Sequence, residues 1–169
     1  MKTAVWFTFL SLILGFSSYS QEKNKKIIDE RFEKEILIGH CDRAGLTEGE
    51  FGESFAAEYK AYDIEKKLIK KIRKHDHDYV IVLILGTWCH DSKLQVPRFY
   101  RIIDEARIPA GTMKVICVDG YKKGGEVSIA NYDIEFVPTF IFYRNGQEIG
   151  RIVEQPDASL EQDFYNIIQ

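Results

Sequence analysis

Apolar residues recur along this chain with two different periods, and the change from one to the other outlines its elements. Tyr79 to Leu85 is an unbroken apolar run, as in a central strand covered on both faces. Met113 to Val118 is a second such run and ends at Asp119-Gly120. Phe140 to Arg144, Asn145-Gly146 and Gln147 to Val153 make a hairpin signal, because Asn-Gly suits a type I′ turn. Elsewhere the period is helical. Phe51, Phe55 and Tyr59 predict a helix over 48–59, opened by Thr47 and Glu50 as a capping box, with Gly49 and Gly52 weakening it. Ile64, Leu68 and Ile72 predict another over 64–74, with Asp63 as its cap. Further helices follow over 94–106, with Pro97 inside, over 126–132, and over 160–168, capped by Asp157 or Ser159. The stretch 27–38 fits either a helix or a strand with a leading turn. This order predicts helices on both faces of one mixed sheet.

Composition narrows the classes. The 169 residues suffice for one ordinary domain and a leader. No basic tract points to nucleic acid, since Lys23 to Lys26 and Lys66 to Lys74 alternate with acids and apolars and read as solvated faces. His75-Asp76-His77-Asp78 reads as a solvated turn rather than a metal site. Residues 1–20 have the form of a secretory signal peptide: Lys2, an apolar core from Ala4 to Phe16, and Ser18 and Ser20 before a cut between Ser20 and Gln21. The core falls short of the roughly 20 residues that span a bilayer. The expected protein is therefore periplasmic or secreted, without a membrane span after cleavage. Its parts would be a signal peptide (1–20), an N-terminal extension (21–60) and a main domain (61–169).

Export bears on the three cysteines, Cys41, Cys89 and Cys117, because thiols outside the cytoplasm tend to be oxidised. An odd number leaves at least one free or paired with another molecule. Cys89 stands in Trp88-Cys89-His90-Asp91-Ser92, directly after the apolar run 79–85 and at the start of a helix. Unpaired N–H groups and the helix dipole there favour the thiolate, which is the nucleophilic form. Ser92, one turn on, could donate a hydrogen bond to the sulfur, and a protonated His90 would help. Asp91 opposes a second negative charge nearby. Cys117 lies within a buried run and reads as a small core hydrophobe. Cys41 is open to three readings: a resolving partner for Cys89, a free surface thiol, or a thiol buried against the domain. His40-Cys41 and Cys89-His90 also mirror one another, and two thiolates with two imidazoles suit copper or zinc if the fold joins them.

The ordered set of motifs resembles the thioredoxin superfamily over about residues 64–169. Trp88-Cys89 occupies the strand-to-helix junction, Pro97 follows eight residues later, Val137-Pro138-Thr139-Phe140 opens the hairpin, and Gly146 and Gly150 lie within it. More narrowly, Gly86-Thr87-Trp88-Cys89 with Asp91-Ser92-Lys93 and Val96-Pro97-Arg98-Phe99 is similar to exported bacterial thioredoxin-like proteins with a single-cysteine CxxS motif. The resemblance implies an α/β fold, a thioredoxin-like mixed β-sheet flanked by helices, with an N-terminal helical extension. It implies thiol–disulfide exchange, with Cys89 as nucleophile, Trp88 shielding it and Ser92 supporting the thiolate. His90 would border the groove, and Val137 with a cis Pro138 would dock an extended substrate. No bound cofactor is implied. The partners would be cysteine-containing extracytoplasmic proteins and a membrane-linked reductant or small thiol.

Two departures from the family pattern matter. Ser92 cannot resolve a mixed disulfide, and the family's buried acid six residues before the nucleophile is Leu83 here. Both argue for monothiol behaviour, isomerase- or reductase-like. The alternative is a non-catalytic module that binds a protein through the same groove, since fold does not fix function.

Overall fold

The structure is a computed structural model, and it describes residues 22–169. The expected signal peptide and its cut after Ser20 lie outside the described residues. Six strands form one sheet: β1 (Lys25–Asp29), β2 (Lys34–Cys41), β3 (Tyr79–Leu85), β4 (Met113–Cys117), β5 (Thr139–Arg144) and β6 (Gln147–Val153), in the order β1-β2-β4-β3-β5-β6. β3 and β4 run parallel, and every other pair is antiparallel. The helices are α1 (Arg43–Leu46), α2 (Gly49–Ala61), α3 (Lys66–Ile72), α4 (His90–Ala106) and α5 (Leu160–Ile168).

The stretch from 27 to 38 follows the strand reading with its leading turn, and a further strand stands ahead of that turn. It is a hairpin, β1 and β2, because the Asp29 carboxylate turns the chain. That carboxylate accepts N–H bonds from Arg31 at 2.8 Å and Phe32 at 2.9 Å, as Asp side chains do in turns. β2 then pairs with β4. The N-terminal extension is thus helical only in α1 and α2, and its strands β1 and β2 join the same sheet as β3 to β6.

Two caps differ from expectation. Thr47 ends α1 rather than opening α2: its hydroxyl donates back to the carbonyls of Arg43 and Ala44 at 3.0 and 2.9 Å. Asp63 does not cap α3. A carboxylate from another helix does so instead, since Glu161 accepts from the Glu65 N–H at 3.1 Å and from the Tyr62 hydroxyl at 2.7 Å. Ser159 does cap α5, accepting from the Gln162 N–H at 3.1 Å.

Side chains alternate across the strands, so each strand feeds two clusters. Ile81, Leu83 and Leu85 of β3, with Phe140 and Phe142 of β5, face α2 to α5. Phe99 of α4 anchors this larger cluster, with ring centroids 4.3 Å from Phe140 and 5.4 Å from Phe164. Val82, Ile84, Ile116 and Ile141 point the other way. That face carries no α-helix among the described residues. The connection 119–138 crosses it, resting Val127, Ile129, Tyr132 and Ile134 on the sheet. The helix expected over 126–132 is reduced to a 3-10 turn at Ala130–Tyr132.

Candidate functional site

The buried strand β3 ends at Leu85, and the chain must then turn sharply to start α4. Gly86 makes the turn possible: a Cβ there would sit 2.5 Å from the Trp88 ring, so only glycine lets the indole lie over the backbone. The Gly86 carbonyl accepts the Cys89 N–H at 3.0 Å, and the Cys89 carbonyl accepts the Lys93 N–H at 3.1 Å. Cys89 is therefore the N-cap of α4. Its thiol is half-buried and donates to the Val137 carbonyl at 3.1 Å. The Val137–Pro138 peptide is cis, and both residues are buried. Cys89, Val137 and Pro138 thus meet at one point, between the start of α4 and the start of β5.

Ser92 takes a different part from the one its spacing suggests. It is fully buried, and its hydroxyl oxygen accepts the Gly86 N–H at 3.4 Å. It braces the turn that presents Cys89 and makes no hydrogen bond to the sulfur. His90 is exposed and borders a shallow recess shared with Ser54, Ala57 and Glu58 of α2. Asp91 accepts from the Gln155 side chain at 3.2 Å.

Trp88 is fixed from two sides. Its indole N–H donates to the Val118 carbonyl at 2.9 Å, and its ring stacks on Phe32 with centroids 4.8 Å apart. Phe32 comes from the tip of the β1–β2 hairpin, so the N-terminal extension forms a wall of the site. Three further ties hold it there. The Asp29 carboxylate accepts the Gly120 N–H at 2.7 Å, the Arg31 guanidinium donates to the Gly120 carbonyl at 2.8 Å, and the Leu37 N–H donates to the Thr87 hydroxyl at 3.2 Å. Burial works to raise the Asp29 carboxyl, but hydrogen bonds from Gly120, Phe32 and Arg31 outweigh it and hold the group below its ordinary range. Sequence reasoning missed Asp29 and Phe32 as parts of the site. The available signal was an Asp followed by a short polar stretch between two apolar runs, which is a turn pattern.

The structure does not bring Cys41 to Cys89. Cys41 is buried in the cluster under the helices, whereas Cys89 packs with the cluster on the opposite face of the sheet. The resolving role for Cys41 and the mirrored Cys–His metal arrangement both need that meeting. Among the described residues, no three His, Cys, Asp or Glu side chains gather as a metal site would require.

A mixed sheet with a cysteine at the strand-to-helix turn, facing a proline at the head of the adjacent strand β5, defines a thioredoxin fold. Comparison with known proteins agrees. The family model described as Thioredoxin matches residues 61–165, and the chain belongs to the thioredoxin family. It is 29% identical over 100 residues to Thioredoxin H9 of Arabidopsis thaliana, covering 58% of this chain and 67% of that protein. Two solved structures share the fold alone. A Pseudomonas aeruginosa protein of unknown function matches with TM-score 0.52 at 12% identity, over 69% of this chain and 82% of its own. An HIV epitope scaffold matches with TM-score 0.50 at 13% identity, over 69% and 83%. Thiol–disulfide redox chemistry is consistent with the family as a whole.

Proposed function

We propose that this is an exported monothiol member of the family that exchanges disulfides with extracytoplasmic proteins through Cys89. The observation that carries the reading is the Cys89 sulfur at the head of α4, 3.1 Å from the Val137 carbonyl beside Pro138. A thiolate at that point attacks one sulfur of a substrate disulfide. The substrate S–S bond breaks, its second sulfur leaves as a thiolate, and a mixed disulfide with Cys89 remains. Backbone groups at Val137 offer an extended substrate chain strand-like pairing, and Trp88 walls the groove.

Resolution then falls to a thiol from outside the motif, because Ser92 is a buried hydroxyl bonded to Gly86. A second substrate thiol gives isomerisation, whereas a small thiol or a membrane-linked reductant gives net reduction. The test is to express the chain in a Gram-negative periplasm, quench with acid and trap mixed disulfides. The wild type is expected to carry disulfide-linked proteins that dithiothreitol releases and that Cys89→Ser lacks. A partner retained equally by Cys89→Ser, without a covalent link, would replace this reading with that of a non-catalytic binding module.

A further inference from the structure

Three of the four large apolar side chains that stay exposed among the described residues gather where Cys89 meets Pro138. The four are Ile28, Tyr121, Phe136 and Val153, and only Ile28 lies elsewhere, on the outer strand β1. Phe136 is 45% exposed and directly precedes Val137, whose carbonyl accepts the Cys89 thiol. Val153 pairs with Thr139, the residue after Pro138, and the next N–H, that of Glu154, donates to the Pro138 carbonyl at 2.7 Å. Tyr121 is 62% exposed and follows Gly120, which Asp29 and Arg31 tie to the hairpin that carries Phe32 to Trp88. Single exposed apolar residues need no explanation, but a group of them marks a contact surface.

One cation overlooks this patch. The Lys122 ammonium lies over the Phe136 ring, 5.8 Å from its centroid. Lys122 has a left-handed φ of 59°, which is costly for a residue with a Cβ. The turn around it enforces that shape. The Lys122 N–H donates to the Asp119 carbonyl at 2.9 Å, and the Asp119 carboxylate accepts the N–H groups of Tyr121 and Lys123 at 2.9 and 2.8 Å. Glycine would adopt this φ without strain, yet the position carries a side chain that reaches the ring beside Val137. Lys122 forms no ion pair among the described residues. Asp119 is engaged within the turn and Asp91 with Gln155, so the ammonium is left to an incoming anion.

We propose that this surface selects the substrates of Cys89, a role that presupposes exchange at that thiol. The favoured substrate is a protein whose cysteine stands in an extended segment with a large apolar residue and an acidic residue close by. The apolar side chain rests on Phe136 and Val153, and the carboxylate pairs with Lys122. A strand laid along Val137 advances roughly 3.3 Å per residue, which puts the acid about two to three residues from the cysteine. Charge at such a rim acts mainly on the rate of encounter, and that rate decides which disulfide Cys89 attacks.

The test follows the reduced protein reacting with synthetic peptides whose single cysteine is capped as a 2-thiopyridyl disulfide. Attack of the Cys89 thiolate on the peptide sulfur forms the mixed disulfide and releases pyridine-2-thione, which is read by absorbance. Three peptides carry Leu beside the cysteine and Asp, Ser or Lys about three residues away; a fourth is the Asp peptide with Ala for Leu. Each rate is divided by that of the same variant with 2,2′-dithiodipyridine, which reports the thiol alone. At low salt the Asp peptide should react about fivefold faster than the Lys peptide, with Ser between, and the gap should narrow in about 0.5 M salt. Lys122→Gln should abolish the order and Lys122→Glu reverse it, while Phe136→Ala should remove the advantage of Leu over Ala. Equal rates for the Asp and Lys peptides, or a preference for Asp that survives in Lys122→Glu, would overturn the proposal while leaving exchange at Cys89 intact. A wild type no faster with 2,2′-dithiodipyridine than Cys89→Ser would remove the exchange reading, and the selectivity with it.

Discussion

Asp29 is where the N-terminal hairpin is most exposed to a single substitution. Its carboxylate is 2% exposed and accepts three backbone N–H groups, those of Gly120, Arg31 and Phe32. Asp29→Ala leaves all three without a partner. A buried donor left unpaired costs about 1–3 kcal/mol. The Gly120 bond is buried and the other two are only partly so, which lets water relieve those two. The expected total is about 3 kcal/mol. In a domain of this size each kcal/mol moves Tm by about 2–4 °C, so Asp29→Ala should melt roughly 6–12 °C below the wild type. Asp29→Asn keeps an acceptor and the shape but loses the charge, and should cost about 1–1.5 kcal/mol.

The pH dependence has a definite sign. The folded carboxyl titrates below its ordinary value, so its contribution is fully present above the unfolded value of about 3.9 and is lost as pH falls through the folded one. The gap between wild type and Asp29→Asn should therefore be constant at neutral pH and close only in strong acid. Thermal and urea unfolding can be followed through Trp88, the one tryptophan among residues 22–169. If Asp29→Ala stayed within about 0.5 kcal/mol of the wild type, the range of an ordinary surface substitution, the hairpin would not be clamped as described.

Other substitutions address the site and the core. Phe32→Ala removes the ring stacked on Trp88 and should red-shift Trp88 emission and raise its quenching by acrylamide; an unchanged spectrum would mean that Phe32 does not cover the indole in solution. Ser92→Cys supplies a thiol one turn from Cys89 and should shorten the lifetime of the mixed disulfide at least tenfold in a stopped exchange assay, and an equally persistent adduct would contradict the idea that the missing thiol governs release. Phe99→Ala empties the centre of the aromatic cluster and should cost about 3–5 kcal/mol in urea unfolding, with a loss below 1 kcal/mol incompatible with the packing.

The parts of the fold legible in the sequence are those with strong local signals. β3 follows from an unbroken seven-residue apolar run, and the β5–β6 hairpin from Asn145-Gly146, where both residues take a positive φ. The β1–β2 hairpin was harder because neither strand shows clean alternation. Ile28 on the outer strand is 67% exposed, while Ile36, Leu37 and Ile38 are all buried. Thr47 and Asp63 had suitable capping chemistry, but tertiary partners outcompeted it: Thr47 closes the preceding helix, and Glu161 arrives from α5. At the site, spacing located Cys89, Ser92 and Pro138 along the chain. It did not reveal that the Ser92 hydroxyl turns inward to Gly86.

The antiparallel seam between β2 and β4 also governs how the molecule meets its neighbours. Without residues 22–41, β4 would present a row of unpaired N–H and C=O groups along its flank, backed by Val115, Ile116 and Cys117. Such a flank is a template for strands of other chains and for aggregation. The hairpin moves that boundary outward to β1, a five-residue strand with exposed Lys25 and Lys26, and short, lysine-bearing borders discourage strand addition. The N-terminal hairpin therefore serves solubility as well as the site, and a truncated chain that begins at residue 61 should self-associate.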